Sequence, residues 1–233
     1  MPDEKRSFIQ RLFTRIAPRY DWFNRLASCG LDQRWRREAV GRGEIAPGHR
    51  ILDVCAGTGD LAILCALRQG GCGTVVGIDM NAEMLAYARR KQHARTLSID
   101  WLQADAQALP FPSGTFDRVL IGFSTRNLSD VMAGLREMVR VLRPGGRLII
   151  LEAGRPANPV VRAGHRVFLF TVARAIGFCL TGRCWPFTYL ARSVRAFLTP
   201  AQVVDRLRLC ETEPTHVPLS NGLASLYLAT KGS

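Results

Sequence analysis

The chain has 233 residues, of which 47% are hydrophobic and 22% are charged, and its formal net charge is +13. This balance excludes a disordered chain and suits one globular domain with a sizeable core. The positive charge favours a nucleic acid or an anionic membrane surface as partner, although no RNA-binding signature accompanies it. Seven cysteines without a CxxC pair favour free thiols over disulfides or zinc, and the polar first residues argue against export.

Three helices are predicted before the first strand. Apolar residues at helical spacing follow Ser7, a candidate N-cap. A second helix carries Tyr20 and Asn24 on one face, and a third covers residues 32–40. We expect residues 1–45 to form a helical cap at the edge of the sheet.

Short apolar runs alternate with helical patterns from residue 46 to residue 153. The predicted strands are 50–54, 74–79, 98–103, 116–123 and 147–152, and the predicted helices are 58–68, 82–93 and 130–142. Strands that alternate with helices predict a mostly parallel sheet with helices on both faces, which is a Rossmann-like α/β fold. Ligands of such sheets bind at the carboxyl ends of the strands.

The pattern changes in residues 154–198. An apolar helix predicted at 160–180 is interrupted by arginines, so it is too polar to span a membrane. It can lie on a membrane surface or cover an apolar pocket, and a core helix with exposed arginines is the alternative. The last elements, in residues 199–233, are a helix and an antiparallel edge hairpin, predicted at 199–209, 212–218 and 223–230. The sheet then has seven strands, and the chain forms a single domain.

A glycine turn joins the first strand of this core to the helix after it. Gly57 and Gly59 let the backbone turn tightly and let a ligand approach closer than a Cβ would allow. The turn also satisfies the dinucleotide fingerprint G-x-G-x-x-G/A. It therefore does not by itself distinguish NAD from S-adenosylmethionine (SAM).

Three acids at successive strands favour SAM. Asp79 ends the second strand, where it can accept both hydroxyls of an adenosine ribose, a group that both ligands share. Asp53 lies inside the first strand, where it can face the cationic amino-acid end of SAM but would repel the pyrophosphate of NAD. Asp105 follows the third strand and can accept from the adenine amino group. Each acid alone could be a solvated strand end, but together they predict a SAM site.

Several motifs occur in one order along nearly the whole chain. They are Tyr20-Asp21-x-x-Asn24, Ser28-x-Gly30 with Trp35-Arg36, the core motif Asp53 to Asp60, Arg126-Asn127-x-x-Asp130, Val141 to Gly146, and Tyr189-Leu190-x-x-Ser193-Val194. With them the chain resembles the ubiquinone/menaquinone biosynthesis C-methyltransferases, within the class I SAM-dependent methyltransferases. The core motifs are shared by many methyltransferases, and the others are more specific to this family.

The resemblance implies methyl transfer from SAM to a ring carbon of a polyprenylated naphthoquinol or benzoquinol, such as demethylmenaquinol, without a metal. The expected SAM contacts are Asp53, Gly57, Thr58, Gly59, Asp60, Asp79, Met80, Asp105, Ala106 and Gly122. The chain departs from the family at Asp32 and Gln33, where a histidine is frequent, and at Gly122, where a serine is usual. Further departures in the presumed acceptor pocket are Ser124, Thr125, Ala153 and Gly154. They leave the identity of the quinone open.

A hydroquinone becomes nucleophilic at carbon when it loses a phenolic proton. Arg126 is the candidate that stabilises the phenolate and holds a water that takes the proton. An ion pair between Arg126 and Asp130, four residues on, is the structural alternative. Asn127, Tyr20 and Asp130 are the further catalytic candidates, for orienting the ring or relaying protons.

The prenyl tail needs an apolar groove, which residues 160–180 can provide while their arginines meet lipid headgroups. We therefore expect a cytoplasmic protein in peripheral contact with an anionic membrane, with a homodimer as a further prediction and no nucleic-acid partner. Three alternatives stay open. They are methylation of another small or lipidic acceptor, methylation or binding of nucleic acid, and a non-catalytic role as a SAM-binding assembly component.

Overall fold

The fold is built on one seven-stranded sheet with the order β3-β2-β1-β4-β5-β7-β6. The computed structural model describes residues 2–181 and 185–232. The strands are β1 Arg50–Val54, β2 Thr74–Asp79, β3 Asp100–Gln103, β4 Phe116–Gly122, β5 Leu142–Ala153, β6 Thr212–Leu219 and β7 Ala224–Lys231. The first five are parallel, and β7 runs antiparallel between β5 and β6. The predicted Rossmann-like sheet and its antiparallel edge are confirmed.

Helices cover both faces of this sheet. They are α1 Pro2–Ile16, α2 Tyr20–Ala27, α3 Leu31–Arg42, α4 Asp60–Gln69, α5 Ala82–His93, α6 Val131–Val141, α7 Pro159–Phe170, α8 Val172–Thr181, α9 Trp185–Ala196 and α10 Pro200–Arg208. Alternate residues of each central strand face opposite sides, so Leu52 and Val54 belong to one core cluster and Ile51 to the other. Burial on both faces explains why these strands are continuous apolar runs in the sequence.

Three predicted elements differ from the structure by more than two residues at a boundary or in the number of helices. Helix α1 begins at Pro2, so Ser7 lies inside the helix and the N-cap prediction was wrong. The single helix predicted at 160–180 is two helices, α7 and α8, with Thr171 between them. The strand predicted from residue 147 begins earlier, since Leu142 pairs with Phe116 before the turn at 143–146 bulges out of register.

The cysteines that the structure describes are free thiols, and Cys184 lies outside the described residues. No helix in the described ranges has both the length and the apolar content that crossing a membrane requires.

Candidate active site

A cavity with acidic walls lies at the carboxyl ends of β1, β2 and β4. The predicted cofactor contacts that line it are Asp53, Gly57, Thr58, Asp60, Asp79, Met80, Asp105, Ala106 and Gly122. Gly59 is in the same turn but not in the wall, and its φ of +82° is one that glycine adopts easily. A Cβ on Gly59 would lie 2.6 Å from the Trp101 ring, so this position needs glycine for packing as well.

Asp79 fixes the glycine turn from the end of β2. Its Oδ2 accepts a hydrogen bond from the Gly57 N–H at 2.9 Å, and its Oδ1 accepts one from the Asn81 N–H at 2.8 Å. Burial raises the pKa of Asp79, and the two N–H donors partly oppose that shift. The Asp79 carboxylate therefore lines the cavity and also fixes the backbone at Gly57 and Asn81, which line the same cavity.

Asp53 brings an unsatisfied carboxylate oxygen to the same cavity. Its Oδ2 accepts from the Ala62 N–H at 2.9 Å, whereas its buried Oδ1 has no hydrogen-bond partner among the described residues. Burial raises the pKa of Asp53 to about 7, although the Ala62 N–H and the charge of Arg36 lower it. A buried oxygen of this kind is stabilised by a cationic ligand group.

Helix α1 closes the cavity from the solvent side, a role that the sequence analysis did not assign to it. Lys5 donates to the Leu128 carbonyl at 2.6 Å, Arg6 pairs with Asp105 at 2.9 Å, and Asn81 donates to the Gln10 carbonyl at 3.0 Å. Asp105 is thus held by α1 as well as by the Gln107 N–H. The basic residues at 5 and 6 were the signal for this contact.

Helix α2 is fastened to the glycine turn by a cluster around Lys91. Lys91 Nζ lies 2.9 Å from Asp21 and also pairs with Asp60, and the Thr58 hydroxyl donates to Asp21 at 2.6 Å. Burial would raise the pKa of Asp60, but the charges of Lys91 and Arg36 outweigh it and lower that pKa. The side chains of Thr58 and Asp60 therefore position the turn and α2.

A second, apolar cavity adjoins the first. Its volume is about 520 Å³, against about 110 Å³ for the acidic cavity. Its apolar wall includes Leu12, Ile16, Phe23, Trp35, Phe123 and Phe168. Four residues line both cavities, namely Phe13, Tyr20, Arg36 and Asn127. A polar ligand in the first cavity and an apolar ligand in the second would meet at these residues.

Arg126 lines the apolar cavity and is paired with Glu152, whereas the sequence spacing had suggested Asp130. Its Nη1 forms an ion pair with Glu152 and donates to the Phe123 carbonyl at 2.5 Å. The two charged side chains are only 8% and 1% exposed. The alternative of an ion pair with Asp130 was wrong. Asp130 is exposed, caps α6 by accepting from the Ala133 N–H, and lines neither cavity, which removes the ground for its catalytic candidacy.

Three residues that the sequence analysis left out of the site also contact this region. Glu152 holds Arg126, the Tyr189 hydroxyl donates to Asn127 Oδ1 at 3.1 Å, and His165 of α7 lines the apolar cavity. Burial lowers the pKa of His165, so its imidazole is neutral at pH 7. Tyr189 stands in one of the motifs, but only the folded chain brings α7 and α9 to the strand ends.

Gly122 marks where the pocket departs from the family pattern. A Cβ at this position would lie 2.6 Å from the Leu61 side chain. The serine that is usual there would therefore clash unless Leu61 moved. At this point the cavity wall is formed by the Gly122 backbone and the Leu61 side chain.

The model of the ubiE/COQ5 methyltransferase family matches residues 1–208. The chain belongs to this family. It is 41% identical to demethylmenaquinone methyltransferase of Thermus thermophilus, over 94% of this chain and 100% of the relative. It is 36% identical to the ubiquinone/menaquinone biosynthesis C-methyltransferase UbiE of Hahella chejuensis, over 98% and 93%. It is 39% identical to 2-phytyl-1,4-naphtoquinone methyltransferase of Thermosynechococcus vestitus, over 96% and 99%.

Solved structures share the fold at lower identity. A putative S-adenosyl-L-methionine-dependent methyltransferase from Methanococcus maripaludis aligns with a TM-score of 0.65 at 17% identity, over 94% of each chain. A SAM-dependent methyltransferase from Aquifex aeolicus aligns with a TM-score of 0.63 at 19% identity, over 84% of this chain and 88% of the other. The resemblance noted from the motifs is confirmed. So are the predictions that the chain is a methyltransferase and that SAM is its cofactor.

The residues of the acidic cavity fit SAM. The unsatisfied Asp53 Oδ1 suits the ammonium group of the amino-acid end, and Asp79 and Asp105 stand where ribose and adenine acceptors were expected. Across the described residues, no group of three or more His, Cys, Asp or Glu side chains is arranged to hold a metal ion.

We expect SAM affinity in this methyltransferase to depend on pH through Asp53. Because its pKa is about 7, about half of these carboxyls are protonated at neutral pH, and binding an ammonium group requires the charged form. Affinity should rise with pH and be about tenfold weaker at pH 6 than at pH 7.5. Calorimetry in two buffers of different ionisation heat should show proton release at pH 6, which Asp53→Asn abolishes. Affinity independent of pH in the wild type would contradict this assignment.

Replacing Asp79 by alanine should weaken SAM binding about ten- to a hundredfold, the scale of one lost charge-assisted hydrogen bond. The change removes a ribose acceptor and also frees the Gly57 and Asn81 N–H groups. Calorimetry gives the dissociation constant. Asp100→Ala, at the exposed start of β3, is the matched control and should leave it unchanged. An unchanged constant in Asp79→Ala would remove Asp79 from the site.

Proposed function

We propose that the protein transfers the methyl group of SAM to a ring carbon of a polyprenylated quinol, as in the conversion of demethylmenaquinol to menaquinol. The observation that carries the proposal is the junction of the two cavities at Tyr20 and Asn127. The acidic cavity suits a charged nucleoside, and the larger apolar one suits a ring with a prenyl tail. The relatives, which include a demethylmenaquinone methyltransferase and a 2-phytyl-1,4-naphtoquinone methyltransferase, support the same acceptor class.

When bound, SAM supplies an electrophilic methyl group on its sulfonium. The chain must then hold a nucleophilic carbon in line with that methyl, about 3 Å away, and keep water out. Phe13 of α1 and Tyr20 line both cavities, and α1 covers the cavities on the solvent side. Phe13 and Tyr20 would orient the ring. The Tyr189 hydroxyl holds Asn127, whose side-chain amide is placed to donate a hydrogen bond to an oxygen of the quinol.

Arg126 is proposed to stabilise the phenolate. Its Nη1 is engaged by Glu152 and Phe123 and its Nε by Ser193, while its Nη2 has no partner among the described residues. That remaining N–H group can donate to a phenolate oxygen. Glu152 balances the charge of Arg126, so Arg126 is stable in the apolar cavity even when no anion is bound.

His165 is proposed to take the phenolic proton. It lines the apolar cavity, and burial keeps its imidazole neutral at pH 7, so it can act as a base. The proton leaves the quinol oxygen for an imidazole nitrogen, and the electron pair of the broken O–H bond raises the charge on the ring carbon. After that carbon has gained the methyl group, it loses its own proton to solvent and the oxygen regains one, so that the aromatic quinol forms again and one proton is released overall. This assignment replaces the water held by Arg126 as the first candidate.

We propose the same division of the chain as was read from the sequence. Residues 46–153 would hold SAM, residues 1–45 and 154–198 would wall the acceptor pocket, and residues 199–233 would complete the sheet. Peripheral contact with an anionic membrane also belongs to this proposal, since the acceptor is a membrane lipid. A homodimer stays a prediction.

The test is methyl transfer from labelled SAM to a set of acceptors. We expect label in a prenylated naphthoquinol or benzoquinol only when the ring is reduced, because the quinone has no phenolic proton to lose. Transfer to transfer RNA at physiological salt, or to a polar phenol equally well, would favour the alternatives and refute the quinol assignment. Dithionite is added to keep the acceptor ring reduced, and the same reaction without dithionite is the matched control.

A further inference from the structure

A third pocket, lined by arginines, lies beside the apolar cavity. It has a volume of about 500 Å³ and lies between the segment after β5, helix α7 and helix α9. Its basic residues are Arg155, Arg162, Arg166, Arg195 and His165. No Asp or Glu is among the described residues that line it. We call it the arginine pocket.

The surrounding sequence carries no compensating charge. Between Glu152 and Asp205 the chain has seven arginines and not one acidic residue. In the described part of the chain, none of the four lining arginines has a carboxylate within 4.0 Å. Arg162 instead donates to the carbonyl groups of Pro156 and Ala157. Guanidinium groups gathered in a concave wall repel one another, so an anion shared by several of them is stabilised there.

The helices around the arginine pocket also expose large apolar side chains. Val160 and Val167 of α7 are 78% and 59% exposed, and Phe178 of α8 is 53% exposed. Trp22, on helix α2 that packs against α8, is 63% exposed. Apolar side chains interspersed with arginines are typical of helices that lie at a membrane surface. A phosphate free in water would not account for these side chains, whereas a phosphate attached to a lipid would.

We propose that the arginine pocket binds the phosphate of an anionic phospholipid headgroup at the entrance to the apolar cavity. His165 and Val194 line both the pocket and that cavity, so the two share a wall. A headgroup held there places the bilayer surface beside the route that a prenylated ring must take. This inference rests on the proposed function, because a membrane-borne acceptor is what makes the location useful.

The experiment is vesicle flotation of the full chain with phosphatidylglycerol mixed into phosphatidylcholine. The variant Arg162→Gln/Arg166→Gln removes two charges from the pocket. The control Arg50→Gln/Arg68→Gln removes two exposed charges on the side of the amino ends of the parallel strands, at the start of β1 and the end of α4. Because each arginine near an anionic surface strengthens binding about fivefold, we expect binding roughly 30-fold weaker in the first variant. The control should bind as the wild type does.

Two results would overturn the proposal. Equal weakening in both double variants would show that net charge, and no particular pocket, carries the binding. Arginine-dependent binding of inorganic phosphate in calorimetry, without any vesicle binding, would assign the pocket to a soluble phosphate.

Methyl transfer to a short-chain quinol in detergent keeps this test separate from that of the proposed function. If vesicle binding depends on the pocket arginines but no methyl is transferred, the proposed function fails and the lipid site stands. If methyl is transferred but no vesicle is bound, the lipid site and the proposed membrane contact fail, and the proposed methyl transfer to a quinol stands.

Discussion

Replacing Arg126 by alanine is expected to lower turnover about 100- to 1,000-fold, because it removes the donor proposed to stabilise the phenolate. The same change leaves Glu152 charged, buried and without its partner. Breaking a buried ion pair in this way costs about 3–5 kcal/mol of unfolding free energy. Single-turnover kinetics and urea unfolding measure the two effects separately. SAM affinity should change far less than turnover.

A double variant distinguishes the chemical role of Arg126 from its structural one. In Arg126→Met/Glu152→Gln neither partner is charged, and the amide oxygen introduced at position 152 can still accept from the Ala153 N–H that Glu152 accepts from now. We expect most of the lost stability to return while turnover stays low. If turnover returned with stability, or if SAM affinity fell as far as turnover, Arg126 would be a structural residue only.

Replacing His165 by asparagine is expected to lower turnover about 100-fold, the lower end of what a positioned base contributes. Burial lowers the pKa of His165 below its usual value, so the imidazole is neutral at pH 7 and becomes protonated as the pH falls. In the wild type, turnover should be level at neutral pH and fall about tenfold per pH unit below that pKa. The variant should lose this acidic limb.

The control for His165 is His93→Asn, at the exposed end of α5, which should keep both the rate and the pH profile. If the His165→Asn variant keeps the fall in turnover at acidic pH that the wild type shows, another group accepts the phenolic proton. Tyr20 is less suited to accept it at pH 7, because burial raises the pKa of its hydroxyl.

Much of the sheet could be predicted because its information is local. The buried runs at β1 and β2 have the bounds that the sequence indicated, and the acids at 53, 79 and 105 follow from where parallel strands end. The glycine turn was equally visible, since Gly57 and Gly59 both have positive φ. These features depend on a few neighbouring residues, which a single sequence displays directly.

The acceptor side could not be predicted to the same depth because it is assembled from distant segments. Glu152 reaches Arg126 across 26 residues and Tyr189 reaches Asn127 across 62, and neither pairing follows a helical or strand repeat. For Arg126 the helical i,i+4 rule pointed to Asp130, but residues 125–127 form a 3₁₀ turn, so that spacing does not apply. The place of α1 over the cofactor cavity depends on the same kind of long-range contact.

The most direct test is a crystal structure of the protein with S-adenosylhomocysteine and a prenylated quinol bound together. We predict that the nucleoside binds in the acidic cavity beside Asp53 and Asp79. The quinol ring should lie at Tyr20 and Asn127, with one ring carbon facing the sulfur at a distance that one methyl group would fill. The tail should run past Phe168. A ring bound outside the apolar cavity, or a nucleoside bound away from the glycine turn, would contradict this prediction.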